Sequence, residues 1–460
     1  MKNLLILVTL GLLAGLASGQ TIQLVLPLTG TLQSLGGAVT PAQGRNGLLY
    51  FTTSGLGYGT SMTDGTILRV STTGKGGAIH VFDGGDGQLP GGMILASDGN
   101  LYGVAADGGA YNLGVFFKVT PNGDYTILYT FTGGSDGDDP YPAPIQASDG
   151  NLYGAAEAEN FGATIYKYDL STSELTGILS LAPDGSQGSG IDSPLVQASD
   201  GTLYVTAESG GTYDCGTIIQ MTTSGAVLQT YNFTCGSDGG TPTGLIQAAD
   251  GNLYGTTVRG GAKWLCPSCG TIFRFSGGGV PTTIHAFTGY PDGTSPLASL
   301  VEGSDGNLYG TTWRGGAHKY GIVFSISPTG QYSILASFLF DQGYETAAAL
   351  MQHSDGKFYG VAAYGGRDDS GTLYSFDAGL VPFIALVRYA GRIGQPVQIL
   401  GQGLSGSTGV TINGFQSSTF QVLSDTYMTA VIPTGATTGP VVVTTPSGTL
   451  QSNHNLQIVQ

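Results

Sequence analysis

One short phrase recurs along this chain at a nearly fixed interval, and that interval limits the fold more than any other property of the sequence. Asp-Gly-Asn-Leu-Tyr-Gly stands at Asp98–Gly103, Asp149–Gly154, Asp250–Gly255 and Asp305–Gly310. Variants stand at Asp200–Val205 and Asp355–Gly360, with a worn copy at Asn46–Tyr50. The shared tyrosines, Tyr50, Tyr102, Tyr153, Tyr204, Tyr254, Tyr309 and Tyr359, lie 50 to 55 residues apart. A period of that length marks an array in which each unit is one supersecondary element packed on its neighbours.

The internal grammar is clearest in the fifth unit. Leu245–Ala248 leads into the turn at Asp250-Gly251-Asn252, and Leu253–Thr257 leaves it. A loop from Arg259 to Cys269 follows, then Gly270–Phe275, a glycine turn and Thr282–Thr288. Short runs rich in Thr, Ile, Phe and Tyr, bounded by Gly, Pro and Asp, are strand signals. Four antiparallel strands per unit, repeated radially, make a β-propeller blade. A linear β-solenoid is the rival, but its coils are shorter and need end caps. The seventh unit supplies three strands, at Ala348–His353, Lys357–Ala362 and Gly371–Phe376. Thr21–Leu28 resembles the fourth strands of other units and would fill the vacant place, removing two open sheet edges. The expected fold is therefore all-β: a seven-bladed β-propeller over residues 20–380, followed by a small immunoglobulin-like β-sandwich over residues 381–460.

Only 10% of residues are charged, as suits strands packed on both faces, and the formal net charge is −16. That charge opposes nucleic acid and anionic lipid, and no basic arm offsets it. Residues 1–19 read as a secretory signal peptide: Lys2, the apolar run Leu4–Leu16, then Ala17, Ser18 and Gly19. The mature protein is expected to be secreted or at the cell surface, without membrane insertion. Four cysteines fit an oxidising compartment. Cys215 and Cys235 flank two strands joined by a turn and should face each other; Cys266 and Cys269 should bridge locally and stiffen their loop. A zinc half-site or a redox dithiol at Cys266–Cys269 lacks the partners or setting such sites need.

From Val381 the phrase is absent. Instead the chain reads Gly394-Gln395-Pro396-Val397-Gln398-Ile399-Leu400-Gly401, and later Val431-Ile432-Pro433 and Gly439-Pro440-Val441-Val442-Val443. These residues resemble the IPT/TIG family of immunoglobulin-like domains, which implies a spacer or adhesion module. The repeats, with S-D-G-N-L-Y-G-T-T, then G-G, then G-T-I-F, resemble the tandem GloVer-repeat proteins, a family of exported bacterial proteins. That resemblance implies no catalytic residues.

Candidate functional residues gather in loops. In a propeller the loops joining second and third strands share a face with the loops between blades. Blades five to seven offer Arg259, Lys263, Trp264, Trp313, Arg314, His318, Lys319, Tyr320, Tyr364 and Arg367 there; blades two to four offer Asp107, Glu157, Glu159, Glu208 and Asp214. Exposed Trp and Tyr beside Arg suit stacking on sugar rings or anchoring a protein. Arg259, Lys263, Trp264, Trp313, Arg314, His318, Tyr320, Tyr364 and Arg367 are accordingly the candidate ligand site. Aspartates of the inter-blade loops read first as turn caps; Asp136, Asp138 and Asp139 are the one calcium candidate, and no other cofactor is expected. The five histidines are scattered, with His285 inside a strand. No G-x-S-x-G or H-E-x-x-H motif occurs. The leading expectation is an exported, non-catalytic recognition or scaffold protein that binds an extracellular glycan or surface protein. The alternative is a polysaccharide-active hydrolase or lyase using Glu157 and Glu208 across neighbouring blades.

Overall fold

The computed structural model describes residues 20–28, 39–54, 64–158, 162–182, 184–261, 266, 268–277 and 279–459. The leader expected at residues 1–19 lies outside them. The architecture is all-β, built mainly of four-stranded sheets. In the fifth repeat, Gly240–Gln247, Leu253–Arg259, Thr271–Phe275 and Thr282–Ala286 pair in that order, antiparallel throughout. The other repeats form sheets of the same order. In the last, Met351–Gln352, Phe358–Ala362 and Thr372–Phe376 take their fourth strand from Ile22–Pro27 at the opposite end of the array, with Ile22 opposite Phe376. Middle strands are buried along nearly their whole length, whereas fourth strands are exposed or half-buried nearly throughout. This is the pattern of sheets packed face to face with one outer edge in water.

The recurring phrase is a self-contained turn. Asp98 accepts bonds from the Asn100 backbone N–H at 3.0 Å, the Asn100 side-chain amide at 2.8 Å and the Tyr102 hydroxyl at 2.8 Å. Asp149, Asp250 and Asp305 repeat the arrangement. Gly99 holds φ +92°, the left-handed region glycine occupies at little cost. The final glycine has a different reason: a Cβ on Gly255 would lie 2.6 Å from the Phe273 ring of the facing strand, and one on Gly154 2.2 Å from the Tyr166 hydroxyl. Where the glycine is replaced, by Phe51 and by Val205, the facing residue is aliphatic, Leu68 and Ile219. Ring size and glycine are thus matched across the strand pair.

Adjacent sheets are tied by a second periodic residue, seven positions before each tyrosine. The Ser97 N–H donates to Gln146, Ser148 to Gln197, Ser199 to Gln247, Ala249 to Glu302, Ser304 to Gln352 and Ser354 to Gln43, all at 2.7–3.0 Å. The last of these joins the final repeat to the first. Leu95 occupies the remaining position, and there Arg45 donates to the Ser97 carbonyl at 2.6 Å. Inner strands of all these sheets line one cavity of about 1290 Å³.

Beyond Phe383 two further four-stranded sheets face each other across a shared core that includes Ile399, Met428, Val410 and Val443. This C-terminal module lies against the turns carrying the repeated phrase. The Phe383 N–H donates to the Ser354 carbonyl, Thr426 to the Arg45 carbonyl, Arg388 to the carbonyls of Ala147 and Ser148, and Gln457 to that of Ser199. Residues 385–390 and 453–455 close one end of the cavity.

Candidate binding face

Loops between sheets and loops joining second and third strands do lie together. Isolated bridges pair Asp138 with Glu157, Ser189 with Ser209, Thr294 with Arg314 and Tyr344 with Tyr364. The fourth residue after each repeat tyrosine stands at the start of this face: Ser54, Ala106, Glu157, Glu208, Val258, Trp313 and Ala363. One register position thus presents acid on one side and an indole on another.

On the aromatic side, Trp313 is half-buried and fixed by its backbone N–H to the Ser295 carbonyl at 3.0 Å. The Arg314 guanidinium lies 4.2 Å from the indole centroid, within cation–π range. Tyr320 meets Tyr344 at 5.4 Å and Phe340 at 5.9 Å between ring centroids, and Tyr344 stacks on Tyr364 at 5.6 Å. Phe340 is 43% exposed, a large apolar ring left in solvent. Of the residues expected from sequence, Trp313 and Arg314 form one pair, and Tyr320 and Tyr364 belong to one aromatic group. Arg259, His318 and Arg367 are exposed nearby in the chain but are not brought onto those rings by any contact described. Lys263 and Trp264 fall outside the described residues. Phe340 and Tyr344 join this group from the loop between repeats, where the sequence pattern marks turn-forming aspartates and gives the rings no signal of their own.

On the acidic side, burial pushes Glu208 up to about 7, with Asp192 and Glu157 adding to the shift. Burial also raises Glu157, helped by Asp192, Asp139 and Asp138, and raises Asp192, which stands open to the cavity on one side. Glu157 and Glu208 therefore share one electrostatic environment across neighbouring repeats, as nearby like charges must.

Of the three calcium candidates, Asp136 is engaged in its own turn. Both oxygens of Asp136 accept bonds within its own turn, from the Thr132 N–H and hydroxyl, the Gly134 N–H and the Tyr129 hydroxyl. Among the described residues no group of three or more His, Cys, Asp or Glu converges to hold a metal ion. His80 and His285 serve in the same kind of turn. His80 lies 2.9 Å from Asp86 and stacks on Tyr125; His285 lies 3.3 Å from Asp292 and stacks on Tyr332. The corresponding place in other repeats holds Tyr129 or Tyr231, which donate to Asp136 and Asp238. A role that tyrosine fills equally is structural. Cys215 is bonded to Cys235 and Cys266 to Cys269, which agrees with an oxidising environment. Among the described residues no helix is long and apolar enough to cross a membrane.

The model of the Gloeobacter/Verrucomicrobia repeat matches residues 16–191 and 193–423. The chain belongs to the Gloeobacter/Verrucomicrobia repeat family. A search of curated proteins returned no match. Among solved structures this repeat protein is similar to a fungal alcohol oxidase in complex with copper, at 14% identity and TM-score 0.54, covering 95% of this chain and 98% of that one. It is also similar to the extracellular domain of a putative hybrid two-component system from B. thetaiotaomicron, at 11% identity and TM-score 0.51, covering 96% of this chain and 55% of that one. At such identities the likeness concerns the fold of the repeat protein alone.

Proposed function

We propose that this protein is an exported, non-catalytic recognition protein: a seven-bladed β-propeller carrying an IPT/TIG immunoglobulin-like module, which binds an extracellular glycan or surface protein through its loop face. The ring reading is supported by the circular succession of side-chain links, with Glu302 and Arg45 standing in for glutamine at two of them, and by one cavity lined from every repeat. The module reading is supported by two facing four-stranded sheets over a single core. Export is supported by the two disulfides. Trp313 with Arg314, and Tyr320, Tyr344, Tyr364 and Phe340 beside them, carry the binding reading. Aromatic rings held on a rigid scaffold lose little entropy on binding and stack on sugar faces or fill a partner's pockets. The test is a glycan array followed by titration with Trp313→Ala and Tyr344→Ala. Loss of an anchoring ring costs about 2 kcal/mol or more, roughly 30-fold in affinity. Two variants that bind as tightly as the parent would remove the reading.

The raised carboxyls of Glu157 and Glu208 favour a second reading, a polysaccharide-active hydrolase or lyase. A carboxyl held near 7 is protonated often enough to serve as a general acid. Release of reducing ends from a polysaccharide, abolished in Glu208→Gln but not in Trp313→Ala, would select it over the first.

A further inference from the structure

The glutamine that links each sheet to its neighbour is an acid at one place only, Glu302. There the partner changes too: Ala249 stands where the other links have Ser97, Ser148, Ser199, Ser304 and Ser354. In three of the five serine links the glutamine amide donates to the serine hydroxyl, from Gln43 to Ser354 at 2.7 Å, from Gln352 to Ser304 at 3.1 Å and from Gln247 to Ser199 at 3.4 Å. Ala249 offers no hydroxyl and Glu302 has no N–H to give, so both departures remove the same bond. What replaces it comes from the C-terminal module. The His454 Nδ1 lies 3.3 Å from the Glu302 Oε2, and the Tyr389 ring packs on the imidazole with centroids 4.6 Å apart. The Glu302 side chain is 3% exposed and that of His454 20%. Asp250 and Asp305 of the ring also face Glu302. Arg388 of the module is turned away to the carbonyls of Ala147 and Ser148, beside Asp149.

We propose that Glu302 and His454 are a buried latch that holds the C-terminal module on the ring, and that the pair keeps one proton between its two members, passing it from the imidazolium to the carboxylate as the module docks. Two opposite charges need not be buried if one proton moves and leaves both groups neutral. Burial pushes Glu302 up to about 7, with Asp250 and Asp305 adding to the rise against the bond from Ala249, and burial pushes His454 down to about 4. With the module apart, water reaches both groups and each moves back towards its ordinary value, near 4.5 and 6.5, while Asp250, Asp305 and the Ala249 N–H act on Glu302 in either state. Between those values the undocked pair carries its proton on His454 and the docked pair on Glu302. The number of protons bound does not change, so docking is nearly independent of pH in that window.

Removing one partner exposes the other. In Glu302→Gln, which restores the residue of the other links, His454 is alone with a depressed value. Docking is then full above pH 6.5 and weakens by up to tenfold per unit as pH falls towards 4. In His454→Asn, Glu302 is alone with a raised value. Docking is then full below pH 4.5 and weakens by up to tenfold per unit as pH rises towards 7. The double variant loses both slopes. The readout is hydrogen exchange of the full chain, corrected for intrinsic rates, at Phe383, whose N–H donates to the Ser354 carbonyl, with Ser97 as a reference inside the ring. Opposite slopes at Phe383 in the single variants, a flat parent and a flat double variant support the latch. A common profile for all four proteins overturns it. Loss of protection at Ser97 in step with Phe383 also overturns it, because the pair would then hold the ring itself together.

Discussion

The tyrosine of the repeated phrase offers an internally controlled experiment. In the fifth repeat the Tyr254 hydroxyl donates to Asp250 at 2.7 Å, joining two bonds from Asn252 at 2.9 Å. In the fourth repeat Thr202 replaces the asparagine and donates twice to Asp200, at 2.9 and 2.7 Å, and the Tyr204 hydroxyl faces Thr202 instead. Both rings are fully buried, at 0% and 2% exposure. Tyr254→Phe therefore deletes a bond to a carboxylate and Tyr204→Phe a bond to a neutral hydroxyl. Such bonds contribute about 1.5–3 and about 0.5–1.5 kcal/mol respectively. Water reaches the exposed Asp250 and replaces part of the lost bond, so the low end applies: about 1.5 kcal/mol for Tyr254→Phe, and about 1 kcal/mol less for Tyr204→Phe. The measurement is urea denaturation of the two variants beside the parent at pH 7 and again at pH 3. Burial by itself would raise Asp250, but the bonds from Asn252 and Tyr254 outweigh it and hold the carboxyl below its usual range. A depressed carboxyl contributes stability that is present above the unfolded value, near pH 4, and lost as pH falls through the folded one. The Tyr254→Phe penalty should shrink in acid, whereas the Tyr204→Phe penalty, with a partner that does not titrate, should stay. Equal penalties at neutral pH, or a Tyr254→Phe penalty indifferent to acid, would refute the reasoning.

Tyr166 and Tyr374 occupy the ring position that Phe117, Phe273 and Phe324 fill elsewhere, and their buried hydroxyls have no partner among the described residues. Tyr166→Phe should raise stability by about 1 kcal/mol, the desolvation cost of an unmade hydrogen bond, and a fall in the denaturation midpoint would contradict this. The Cys215–Cys235 bridge spans 20 residues, and loop-closure entropy sets its contribution at about 3 kcal/mol. Denaturation of Cys215→Ala/Cys235→Ala should show a loss of that order, larger than for Cys266→Ala/Cys269→Ala, whose bridge spans three.

Much of the fold is legible in the sequence. Strand-forming runs broken by Asp-Gly turns gave an all-β array of four-stranded sheets. The likeness of Thr21–Leu28 to other fourth strands pointed to its pairing with Gly371–Phe376, realised between Ile22–Pro27 and Thr372–Phe376. Cysteine placement likewise pointed to both bridges, one between adjoining strands and one within a loop. The inner strands were harder: in several repeats only two residues pair, as at Ile145–Gln146 and Val196–Gln197. Pro142, Pro144 and Pro194, which precede those pairs, have no N–H to give a ladder. The linking glutamines are as periodic as the tyrosines, yet a side chain that bonds the neighbouring repeat carries no local signature. The loop face was half legible. Trp313 and Arg314 stood out by type, but Phe340 and Tyr344 join Tyr320 only through the stacking of two repeats. Glu302 and His454 are 152 positions apart, and nothing short of the docked module brings them together.

The strand that completes the last sheet begins 354 positions before its partner ends, Ile22 against Phe376. Synthesis therefore delivers the earliest β-segment long before the surface that receives it exists. Intermediate repeats can form their own hairpins as they emerge, but that segment must wait unpaired, and contacts of such high sequence separation form slowly. A chain interrupted anywhere before Phe376 would keep an orphan strand at one end and an open sheet at the other, both apt to pair with another copy. Premature termination should thus yield aggregates rather than shorter working molecules, and maturation should hinge on the final segments arriving.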